Sequence, residues 1–166
     1  MARSSGLVSA AVRNFEKNTI EEMAEDCVKA VSEAYYTSTY VDETGNLRDS
    51  YACAVFKDGV LLPTTMAFID SASAVAPSIW YGKELYGRNE AVKYLSSYRP
   101  KAKGLSIVLI AAMPYYEILE KGLGNLHHKY KVITGANAFM RELARKYDGK
   151  FGGRRKQGTT LIRIEQ

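Results

Sequence analysis

Glu117 and Glu120 lie three residues apart, and His127-His128 follow within the same short stretch. Two carboxylates and an imidazole are the ingredients of a metal site or of acid–base catalysis. Their arrangement argues against both. Adjacent histidines on regular structure point in different directions, and no further ligand arrives at a usable spacing. The expectation is a solvated loop.

Other chemistries find even less. Residues 149–158 (GKFGGRRKQG) are glycine-rich and basic, but a phosphate-cradling loop follows a strand and opens a helix. This segment is expected to follow a helix and lead into a strand, so it reads as a flexible basic loop suited to nonspecific phosphate contact. No Gly-x-Ser-x-Gly elbow occurs, and neither Cys27 nor Cys53 sits beside a plausible base. The two cysteines also lack metal-ligand spacing and read as buried thiols of a reducing compartment. Trp80, Tyr81 and Tyr86 gather three aromatics among glycines. They either cap the core or form a sticky surface for subunit contact.

The elements that must position these residues follow from periodicity. Apolar side chains at Val8, Val12, Phe15, Met23, Cys27, Val31 and Ala34 have helical spacing, which predicts one long amphipathic helix over 8–36. The alternative is a break near Asn18-Thr19, where Thr19 and Glu22 would form a capping box. Such a helix is longer than a small sheet needs, so its surplus is expected to pack on a neighbouring subunit. Residues 42–46 read as a loop. From Asn46 the pattern turns to strand-like alternation through Leu47, Ser50, Tyr51, Cys53 and Val55. Asp58-Gly59 suits a type I′ hairpin turn into a second strand over 60–69, with Pro63 at an edge.

An irregular insertion over 70–104 holds a short helix at 89–98. Residues 105–112 are the most apolar and predict a central strand. The segment 115–122 reads as a strand running out into an exposed loop that continues to 130. A second amphipathic helix over 132–147 and a last strand over 159–165 complete the chain. The sum is a single α+β domain over 1–166: a sheet of about four mostly antiparallel strands under two helices, with a helical insertion.

At 166 residues, 46% hydrophobic and 25% charged, the chain can bury a core without disulfide or metal. No apolar run approaches the ~20 residues that span a bilayer. Met1 to Gly6 carries one positive charge with no apolar block behind it, so no secretory signal is expected. The net charge of +5 is mild. Twelve tyrosines weigh more, since tyrosine joins a large apolar area to a polar tip and suits extensive interfaces.

Two strings carry a resemblance. Thr44-Gly45-x-Leu47-Arg48-Asp49-Ser50 is similar to the stretch after the N-terminal helix in a family of tailed-phage morphogenesis proteins, the siphovirus-type head–tail joining and tail-completion proteins. That family also carries a tyrosine, three variable positions, an aliphatic residue and Glu-x-Gly, a pattern on which Tyr115, Leu119, Glu120 and Gly122 fall. Glu117 stands where the family has a small residue or proline, and the 70–104 insertion and the C-terminal extension are additions.

The resemblance implies a non-enzymatic virion component, made in the host cytoplasm and placed at the head–tail junction. It implies a homo-oligomeric ring of six or twelve copies touching portal, neck or tail proteins, without cofactor, metal or membrane. Gly45, Leu47, Arg48, Asp49, Tyr115, Tyr116, Glu120 and Gly122 would then serve the subunit interface, with Leu47 anchoring the first strand. Arg154, Arg155 and Lys156 would face the passing DNA. The competing expectation is a small basic nucleic-acid-binding protein.

Overall fold

A computed structural model describes residues 3–70, 76–101, 103–124, 128–148 and 160–163. In chain order the helices are α1 (Arg3–Thr37), α2 (Asn46–Asp49), α3 (Gly87–Ser97), α4 (Tyr116–Lys121) and α5 (Asn137–Asp148). The strands are β1 (Tyr51–Lys57), β2 (Val60–Leu61), β3 (Ala67–Phe68), β4 (Ser78–Trp80), β5 (Lys83–Leu85), β6 (Leu105–Ala111) and β7 (Thr160–Arg163). The main sheet runs β2-β1-β6-β7, with β3 also paired to β1, and β4-β5 form a separate hairpin. The β1–β6 pair is antiparallel and β6–β7 parallel. The α+β architecture expected from the pattern is the one observed.

The sheet separates two cores. Tyr51, Cys53 and Val55 of β1 and Leu105, Ile107 and Leu109 of β6 face Met23, Cys27, Ala30 and Val31 of α1, together with Met140, Leu143 and Tyr147 of α5. Ala52, Ala54 and Phe56 point the other way with Val108 and Ile110, against Ala91 and Leu95 of α3. Every residue from Tyr51 to Phe56 is therefore buried. The insertion is the cover of the sheet's second face, not an appendage. Each fully buried Leu95 or Phe56 side chain contributes about 1.5–3 kcal/mol to holding it there.

α1 is continuous, because the Thr19 hydroxyl donates back to the Phe15 carbonyl at 2.9 Å instead of capping a new helix. Several local expectations are corrected. The first strand begins at Tyr51, not at Asn46. Gly45 takes φ 75°, a left-handed conformation open to glycine, and residues 46–49 wind into a helical turn in which Asp49 N–H donates to the Gly45 carbonyl. The expected strand over 60–69 is split. Pro63 opens a 3-10 turn, and the Thr65 hydroxyl reaches in to accept the Val55 N–H at 2.9 Å, taking the place of a strand partner.

Residues 116–121 are helix, not strand and loop. Gly122 at φ 64° ends α4, and Leu123 N–H returns to the Ile118 carbonyl. The C-terminal helix starts five residues later than expected, because a 3-10 turn occupies Thr134–Ala136. The Asp58-Gly59 turn is as expected, both residues having positive φ.

Candidate functional site

The two strings that carry the resemblance meet through Ser78. Thr44 Oγ1 lies 3.1 Å from Ser78 Oγ, and Ser78 Oγ lies 3.2 Å from the Tyr115 hydroxyl. Between them Asn46, fully buried, donates through Nδ2 to the Ala76 carbonyl at 2.6 Å and accepts the Gly87 N–H at 2.9 Å through Oδ1. Asp49 accepts the Arg88 N–H and pairs with its guanidinium, which also donates to the Ile69 carbonyl. Burial pushes the Tyr115 hydroxyl up, against the hydrogen bond with Ser78 and with help from the Asp42 charge. It is a neutral hydrogen-bonding group here. The hub fastens the first half of the insertion, from Ile69 to Arg88, to the turn before β1.

Most of the residues expected at a subunit interface are engaged within the chain. Leu47 and Tyr116 are buried in the α1-side core, so Leu47 anchors the helical turn, not the strand. Arg48 lies over the Tyr35 and Tyr40 rings and donates to the Tyr40 carbonyl. Gly45 and Gly122 set turn geometry. Tyr115 packs near Trp80 with ring centroids 5.8 Å apart. Arg154, Arg155 and Lys156 lie outside the described residues.

The carboxylates weighed for catalysis have structural work. Glu120 Oε1 accepts the N–H groups of Val132, Ile133 and Thr134 at 3.3, 2.9 and 2.8 Å, tying α4 to the turn that leads into α5. Glu117 pairs with Lys121 at 3.2 Å. His127 lies outside the described residues and His128 is exposed. Among the described residues no group of three or more histidines, cysteines or carboxylates could hold a metal. Cys27 and Cys53 are free and buried, and burial, reinforced by the neighbouring Cys27 thiol, raises the Cys53 pKa well above its ordinary value. Glu120→Ala leaves those backbone donors unsatisfied and is expected to cost about 1–3 kcal/mol. A shifted urea midpoint checks this, and an unchanged midpoint contradicts the capping role.

Among the described residues, two exposed apolar surfaces lie at opposite ends of the molecule. β1 ends at Lys57, which pairs with Glu16 of α1, so the first turns of α1 run on beyond the sheet. From Arg3 to Glu16 the overhang is roughly 20 Å long. The helix face that buries Met23, Cys27 and Ala30 continues into it as Val12 and Val8, which are 59% and 63% exposed. Leu7 beside them is 74% exposed.

At the other end the β4–β5 hairpin turns through Tyr81 and Gly82, both at positive φ. A left-handed conformation costs a bulky residue about 1–2 kcal/mol, yet Tyr81 is 90% exposed. Ile79 beside it is 64% exposed. Helix length signalled the overhang in the sequence, and the aromatic-glycine string signalled the hairpin without its geometry. No described helix is long and apolar enough to cross a membrane. The chain matches no protein-family model, no curated protein and no solved structure.

Proposed function

We propose that the chain is a structural subunit of a tailed-phage head–tail junction, assembling as a homo-oligomeric ring of six or twelve copies. The observation that carries this reading is the pair of unlike apolar surfaces at opposite ends of one domain. A ring closes through heterologous contacts, in which each copy offers two different faces. An isologous dimer needs only one. The order of elements supports the family resemblance: a long helix, the Thr-Gly-x-Leu turn, a strand pair, the Tyr…Glu-x-Gly segment and a terminal helix. In this reading the two motifs shape the subunit from within, and the overhang and hairpin make its contacts.

Native mass spectrometry over a concentration series tests the ring. Closed species of six or twelve copies are expected to grow with concentration. A series that stops at a dimer contradicts the heterologous geometry. Tight, salt-sensitive DNA binding by the monomer would favour the nucleic-acid reading instead.

A further inference from the structure

We infer that the N-terminal overhang of α1 in one copy docks on the β4–β5 hairpin and the adjoining 40s loop of a second copy. The inference rests on the ring reading and names the two surfaces that meet in it. Three observations carry it.

The apolar stripe of α1 has spacing that fits a packed helix throughout, yet its N-terminal part has no strand of the described residues beneath it. Val8 and Val12 lie on the line of Met23 and Ala30, which are wholly buried. An apolar stripe of core character left in water calls for a partner. The hairpin supplies a matching knob. Tyr81 stacks edge-on against Trp80, with ring centroids 5.1 Å apart, and is held outward at a backbone conformation its side chain disfavours. Strain at an exposed aromatic tip is a mark of a recognition site, and tyrosine is among the residues that dominate interface energetics.

Charge agrees with the pairing. The overhang and its root carry Arg13 and Lys17, the latter shared with Glu21, while Glu16 is committed to Lys57. The hairpin end carries Glu84 and, across the Thr44–Ser78 hydrogen bond, Asp42 and Glu43, against Lys83 and the Arg48 guanidinium over Tyr40. A basic end meeting an acidic end steers head-to-tail association and disfavours overhang-to-overhang pairing. The two surfaces lie at opposite ends of α1, which is about 52 Å long, so one copy cannot satisfy itself.

Two variants test the pairing. Tyr81→Asn places a residue that tolerates the left-handed region at the hairpin tip. It is expected to leave the melting temperature unchanged or raised while weakening self-association at least tenfold. Mixing Val12→Cys protein with Tyr81→Cys protein under mild oxidation is expected to give a cross-linked dimer in far higher yield than either variant alone. The double variant is expected to give a ladder. The native thiols, being buried, stay out of the reaction.

Cross-linking of Val12→Cys only to itself means overhangs pair with each other and overturns the inference. So does protection of Val12→Cys from thiol reagents in dilute monomer, which means the stripe is covered from within the chain. Full association of Tyr81→Asn without mixed cross-links overturns this pairing and leaves the ring standing. Absence of any association, together with absence from the virion, overturns the ring as well.

Discussion

Replacing Gly87 with alanine is expected to lower stability by about 3 kcal/mol and to loosen the insertion from the sheet. A Cβ at position 87 would lie 1.9 Å from the Asn46 carbonyl oxygen and 2.8 Å from the Ser50 nitrogen. Both are backbone atoms of the turn before β1, so no side chain can swing aside. Overpacking a close contact usually costs about 1–3 kcal/mol, and immovable backbone places this site at the top of that range. Relief requires α3 to lift, which breaks the Gly87 N–H bond to Asn46 Oδ1 and strains the Asp49–Arg88 pair.

Lifting α3 also uncovers Ala52, Ala54 and Phe56, all buried against it. The variant is therefore expected to show a lower urea midpoint and increased binding of a hydrophobic dye before global unfolding. An unchanged midpoint would mean that the turn and α3 are not in contact.

Asp26→Ala is expected to cost about 2–4 kcal/mol at neutral pH. Asp26 sits on the buried face of α1 and is 2% exposed. It accepts from the Tyr147 hydroxyl at 2.6 Å, from Lys29 at 3.1 Å, and from Lys146, joining α1 to α5. Burial alone would raise its pKa, but the hydrogen bonds from Lys146, Tyr147 and Lys29 together hold it below the ordinary 3.8. A carboxyl with a lowered folded pKa contributes stability that is fully present above its unfolded value and lost as pH falls through the folded value. The difference between wild type and Asp26→Ala is thus expected to persist at neutral pH and shrink below about pH 4.

Lys146 titrates at the other end of the scale. Burial opposes its charge, but Asp26 and Glu22 raise its pKa above 10.5. Its contribution is present below that pH and fades as pH rises through the folded value. Urea titrations of both proteins across pH check the sign. A gap that widens in acid would contradict it.

How much of this was readable in the sequence depends on the length scale of the signal. The long helix, the Asp58-Gly59 turn and the central strand Leu105–Ala111 announce themselves by local spacing, and each is found. The burial of Ala52 and Ala54 was hidden. Alanine alternating with Tyr51, Cys53 and Val55 mimics a strand with one wet face, and only the docking of α3 makes the second face a core. The helix α4 was hidden in a different way. Tyr115 to Leu119 is too short and too aromatic to show a helical period, and its stability comes from Gly122 and from Glu120 clasping the 132–134 backbone.

For the site, the two motif strings were visible, but their partner was not. Ser78, Gly87 and Arg88 lie 32 or more residues from Asn46, or 39 from Asp49. A pairing at that range leaves no periodic trace. The partner of Asp49, Arg88, is hidden from a sequence reading for the same reason.

The central claim is tested most directly by deleting the coding sequence from the genome that carries it and examining the lysate by electron microscopy. The ring reading predicts DNA-filled heads and separate tails that fail to join, with joining restored when the wild-type protein is supplied. Normally joined, infectious particles from the deletion would contradict it.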